Sequence, residues 1–196
     1  MKKALFISIV LFTLAACGGE SAVKTPAPPP PVKEAQAEKP AHLNMGFGTF
    51  RLRANSGFKA LDLPYKISAG EWPLAEEGAT EKNAIIELDK NLVLALTIDA
   101  KSDKITVISP RFTVTKNGAY NLQLGNGALV LLASADGEEM AVIQELNNMM
   151  VDAMQEYTDS KDGHVVEKML DIRGVKYGIT IRDKMPVILS ASSSKS

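Results

Sequence analysis

The chain has 196 residues, with 22 Lys plus Arg against 23 Asp plus Glu and 45% hydrophobic residues. That length suits one folded domain, and a formal net charge of −1 argues against a surface built to hold nucleic acid through its phosphates. The single cysteine, Cys17, excludes an intramolecular disulfide and a multi-thiolate metal site.

Lys2 and Lys3 supply a positive start, residues 4–14 form an apolar run broken only by Ser8 and Thr13, and the small residues Ala15 and Ala16 precede Cys17. Charge, a short apolar stretch and small residues at the cut describe a secretory signal over residues 1–16. The run is too short for a spanning helix. Leu14-Ala15-Ala16-Cys17 resembles the lipobox of bacterial lipoproteins. The resemblance implies that the Cys17 thiol receives a diacylglycerol and becomes the new N-terminus, which makes a membrane the first partner through N-terminal acyl chains. It also implies that Gly18, standing where an aspartate would favour inner-membrane retention, directs the chain to the outer membrane. Acyl chains contribute about 0.8 kcal/mol per buried methylene, and stable anchoring takes more than one chain.

Residues 17–42 hold six of the ten prolines, with Ala, Lys and Glu between them and no aromatic residue. Such a composition cannot bury enough apolar surface to offset its ordering entropy. A lipidated, disordered tether is expected there. Pro28 to Pro31 favour polyproline II, and the whole tether reaches roughly 70 Å when extended at about 3.1 Å per residue.

One globular domain is expected over residues 43–189, followed by a disordered tail over 190–196. In the first two-thirds of the domain the apolar residues alternate with period two. Phe50, Leu52 and Ala54 share a face, as do Leu92, Leu94, Leu96 and Ile98, and then Tyr120, Leu122 and Leu124. Alternation of this kind predicts half-buried strands over 47–54, 92–98 and 119–124, with a further short one near 65–68. Asn117-Gly118 and Asn126-Gly127 suit tight hairpin turns. The sum is an antiparallel meander over about 84–133. Its last piece, 128–133, fits a buried strand or an early helical turn equally.

The period then changes. Asp136 and Glu139 form a capping-box-like pair, and Val142, Ile143, Leu146, Met149, Met150, Ala153, Met154 and Tyr157 recur at helical spacing. They predict one long amphipathic helix over about 137–158, with a face made to lie on a sheet. Residues 165–170 suit a short helix or a strand, and 175–181 and 186–189 read as two closing strands. The expected class is α+β: a curled antiparallel meander with the long helix packed on it or closing one end.

Candidate chemistry is sparse. His42 lies in the tether and His164 in a loop, so no helical histidine pair supplies a zinc site. No serine sits in a Gly-x-Ser-x-Gly context. Residues 159–163 are acidic and end in Gly163, but Thr158 and Met169 occupy positions where a calcium loop needs carboxylates. Met149, Met150 and Met154 coincide with the core stripe, so packing accounts for them. No enzyme, cofactor or metal is expected from these patterns.

Charge is more informative. Between residues 43 and 189 there are sixteen Lys plus Arg and twenty Asp plus Glu, and from Asp136 to Asp162 eight acids face Lys161 alone. That stretch excludes an anionic partner for its face. Glu138, Glu145, Asp152 and Glu156 are the candidate contacts for a basic envelope protein.

Gly70-Glu71-Trp72 stands ahead of the meander and resembles the lipocalin pattern, from which Pro73 departs. That resemblance implies a barrel that carries an apolar molecule or lipid, with Trp72 beside the ligand. The expectation is therefore a non-catalytic, lipid-anchored accessory or protein-binding factor of the cell envelope. An apolar-ligand carrier is the alternative.

Overall fold

The computed structural model describes residues 43–70, 78–136, 139–160 and 164–194, with residues 137–141 carrying no described side chain. Three helices, α1 (Phe47–Ala60), α2 (Gly118–Ala133) and α3 (Glu139–Asp159), frame two runs of strands. β1 (Glu81–Asp89), β2 (Leu92–Asp99) and β3 (Ile105–Phe112) lie between α1 and α2, and β4 (Val166–Ile172), β5 (Val175–Ile181) and β6 (Val187–Ser193) follow α3. Every pairing is antiparallel, and the strand order is β1-β2-β3-β6-β5-β4. Two three-stranded meanders thus join at β3 and β6 into one open sheet, and the class is α+β.

The sheet is half covered. Leu92, Leu94, Leu96 and Ile98 on β2 are buried, while the residues alternating with them are only partly so. This period of two follows from the pleat, which turns successive side chains to opposite faces. α2 packs on β3, β2 and β6, α3 packs on β4 and β5, and α1 packs on α2. The other face of the sheet carries no helix among the described residues, and Ile85 on it is 76% exposed.

Several turns follow from their residues. Asp99 holds the β2–β3 turn by accepting from the backbone N–H groups of Lys101 and Ser102 at 3.1 and 2.7 Å. The β4–β5 hairpin turns on Arg173 and Gly174, both at positive φ (53° and 82°), with Ile172 paired to Val175. Two successive positive φ angles suit the right-handed twist of the flanking strands, and Gly174 adopts its angle without steric cost.

The structure departs from the sequence reading in several places. Residues 47–54 form helix, not strand. Phe47, Phe50, Ala54 and Phe58 are the buried positions, spaced three, four and four apart, so the helical period outweighs the alternation seen in Phe50, Leu52 and Ala54. Leu52 is left 64% exposed. Residues 119–124 and 128–133 belong to one helix, α2. Asn117 is its cap and not a hairpin turn: its side chain accepts from the Tyr120 N–H at 3.1 Å, filling one orphan donor of the first turn. Asn126-Gly127 lies inside the helix. Residues 65–68 form no strand, and Asn55 brackets Ile67 with two hydrogen bonds, at 2.8 and 2.9 Å.

The closing strands number three, with β4 settling residues 165–170 as strand. β6 continues to Ser193, so most of the expected tail is part of the sheet. α3 matches the expected long helix closely and packs on the sheet. Asp136 forms an ion pair with Arg173 at 3.7 Å.

Candidate functional site

α3 is positioned by one buried stripe. Val142, Leu146, Met149 and Ala153 recur every three or four residues and face the core. That leaves α3 two flanks, one turned to α2 and one turned to β4, the end strand of the sheet.

On the α2 flank the two helices form the walls of an open groove of about 350 Å³. Gly118, Asn121, Leu122, Gly125 and Asn126 supply one wall, and Asn147, Met150, Val151, Met154, Gln155 and Thr158 the other, with Phe112 and Val114 from the end of β3 and the loop after it. The wall residues repeat at three and four, the helical spacing that puts them on one side. None of the lining residues carries a charge. Leu122, Val151 and Val114 are 71%, 56% and 49% exposed, so three large apolar side chains meet water around one depression.

The α2 wall is fixed at its N-terminal end. The Asn121 side chain accepts from the Thr115 backbone N–H at 2.8 Å and donates to the Thr115 carbonyl at 2.8 Å. The Tyr120 hydroxyl donates to the Asp89 carboxylate and accepts from Asn91 Nδ2 at 3.3 Å. Its bond to Asp89 holds the Tyr120 proton more firmly than usual and so raises its pKa. These bonds join the first turn of α2 to the loop after β3 and to the β1–β2 turn.

On the other flank, α3 runs back along β4. Its Asp159 end lines a shallow depression with His164, Glu156 pairs with Lys168, and Glu145 and Asp152 line a second depression with Lys168 and Leu170. Three of the acids singled out from sequence, Glu145, Asp152 and Glu156, are therefore exposed and share this flank. The fourth, Glu138, lies outside the described residues, as do Cys17 and Trp72. The barrel implied by the lipocalin resemblance is not formed, because the sheet ends at β1 and β4 without closing.

The groove itself escaped sequence reading. With 119–124 taken as a strand, Leu122 and Gly125 could not share a wall. Asn117 followed three residues later by Tyr120, with Gly118, Leu122 and Gly125 at helical spacing, was the available signal.

The Ser160 hydroxyl donates to the Tyr157 carbonyl at 2.8 Å. Among the described residues no group of three or more His, Cys, Asp or Glu is arranged to hold a metal ion. No helix among them is long and apolar enough to cross a membrane. What the arrangement offers is surface: an uncharged apolar groove and an acidic flank, both built on α3. No family model, no curated protein and no solved structure matches this chain.

Proposed function

We propose that the chain is a lipid-anchored protein of the cell envelope, held at the outer membrane through Cys17, and that it acts as a non-catalytic accessory factor by binding another envelope protein. The signal segment, the lipobox-like Leu14-Ala15-Ala16-Cys17 and the following Gly18 support the anchor. One observation carries the binding half: Leu122, Val151 and Val114 stand exposed around a single uncharged groove between α2 and α3. Apolar side chains left singly in water need no explanation, whereas a cluster of them marks an interaction site. The channel between two helices suits the apolar face of a partner helix.

The anchor is tested by replacing Cys17 with Ser in the full chain. The parent takes up labelled fatty acid and sediments with membranes, and Cys17→Ser does neither; equal labelling of both contradicts the anchor. The binding half is tested by Leu122→Asp with Val151→Asp. Both positions are exposed, so the fold and cellular level persist while the partner recovered with the parent is lost. Undiminished recovery contradicts the reading.

A small-molecule carrier has one observation in its favour, since about 350 Å³ falls within the range of small-ligand sites. Native mass spectrometry of the purified chain separates the two. Bound lipid favours the carrier, and the bare mass favours a protein partner.

A further inference from the structure

The end strand β4 is regular where the opposite end strand is not. All seven residues of β4 pair with β5 in unbroken register, from Val166 with Ile181 to Ile172 with Val175. β1, at the other edge, is interrupted by a register shift between Glu87 and Asp89. A bulge twists an edge away from further pairing, whereas a regular edge presents a row of backbone donors and acceptors ready to receive a strand. Among the described residues no strand pairs with the outer side of β4.

The acidic flank of α3 runs along this edge. From Val166 to Ile172 the strand spans about 20 Å at 3.3 Å per residue. The helix from Glu145 to Asp159 spans about 21 Å at 1.5 Å per residue. The two are comparable in length, and the carboxylates Glu145, Asp152 and Glu156 lie beside β4 around Lys168 to Leu170, where Lys168 pairs with Glu156. A strand added to β4 would turn every second side chain toward α3. Those side chains would meet Glu145, Asp152 and Glu156.

We propose that the free edge of β4 receives an extended basic segment of a partner protein as an added strand, its Lys or Arg side chains set against Glu145, Asp152 and Glu156. The inference rests on the protein-binding reading above and adds a second contact with a stated chemistry. Charge selects the occupant. A second copy of this chain, pairing β4 to β4, would bring the same carboxylates against each other, and like charges across an interface oppose association. Backbone hydrogen bonds supply the attraction in strand addition and side chains supply the choice of partner.

The test uses the full-length protein and capped synthetic peptides as long as β4. One alternates lysine with valine, one alternates glutamate with valine, and the third is the lysine peptide with alternate backbone nitrogens methylated. The lysine peptide is expected to bind and to slow amide exchange in β4 but not in β1. Asp152→Lys with Glu156→Lys is expected to weaken it at least about tenfold, and circular dichroism checks that this variant is folded. Should it unfold, Asp152→Asn with Glu156→Gln replaces it, with weakening again expected. Equal binding of the methylated peptide, equal binding of the glutamate peptide, no binding of the lysine peptide, protection outside β4 or undiminished binding to the charge variant overturns the inference. Leu122→Asp with Val151→Asp leaves peptide binding intact. If the peptide fails while the groove still captures its partner, this inference falls and the groove reading stands.

Discussion

Tyr177 is fully buried on β5, and its hydroxyl has no hydrogen-bond partner among the described residues. Burial, and then the nearby Asp136 carboxylate, push its pKa up well beyond the ordinary tyrosine value, while Arg173 pulls the other way. Burial also raises Tyr65. Below about pH 10 these phenols are protonated in folded and unfolded chains alike, so their contribution is complete. Above it the unfolded chain releases protons first, and stability falls as pH climbs toward the folded-state values. Tyr177→Phe is expected to be at least as stable as the parent at pH 7, because an unbonded buried hydroxyl is removed. It is also expected to keep more of its stability in denaturant titrations above about pH 10. A loss of more than about 1 kcal/mol at pH 7 would mean that the hydroxyl is bonded. At this scale the sequence was partly legible: an acid on a helix flank announces its exposure, as Glu145, Asp152 and Glu156 did. The isolation of Tyr177 depends on what surrounds it in space.

Among the elements, α2 shows most clearly where sequence reading stops. Its second half is buried on nearly every side, from Gly127 to Ala133, because α1 and α3 flank it and the sheet lies beneath. A helix buried all round has no polar face and therefore no period to detect. α3 was legible because it buries a single stripe, and β2 because one face of the sheet is open. Gly127 looked like a turn residue but is a packing residue. A Cβ there would lie 2.6 Å from Tyr65 Cε2 and 2.9 Å from Leu92 Cδ2, and the Tyr65 ring is set edge-on to Phe58 with centroids 5.6 Å apart. Alanine gains about 1 kcal/mol of helix propensity over glycine, but overpacking a fixed site costs about 1–3 kcal/mol. Gly127→Ala is therefore expected to lower the thermal midpoint. Gly118→Ala, whose Cβ meets nothing within 4 Å, should leave it unchanged or raised. An unchanged midpoint in Gly127→Ala would contradict the close approach of α2 to Tyr65.

For the molecule as a whole, the defining contact is β3 with β6, where Val107 meets Ser192 and Phe112 meets Val187. More than seventy residues separate those partners in the chain. Local patterns foretell a meander but not which strand lies beside which, so the joining of two meanders into one sheet lay beyond sequence reading. The same holds for the groove, which exists because the α2–α3 pair crosses from one meander to the other and stands apart over Phe112. The molecule then presents two unlike surfaces on a single helix, an apolar channel toward α2 and a carboxylate row toward β4. In the proposed reading, the acylated Cys17 ties the chain that carries both surfaces to a membrane.

The most direct measurement is photocrosslinking in intact cells from a reactive residue placed at Leu122, with a control placed at Lys101 in the β2–β3 turn. The expected result is a discrete adduct with one envelope protein from position 122 alone, which disappears when Val151→Asp is added. The same adduct from both positions, or an adduct indifferent to Val151→Asp, would contradict a groove that binds a partner.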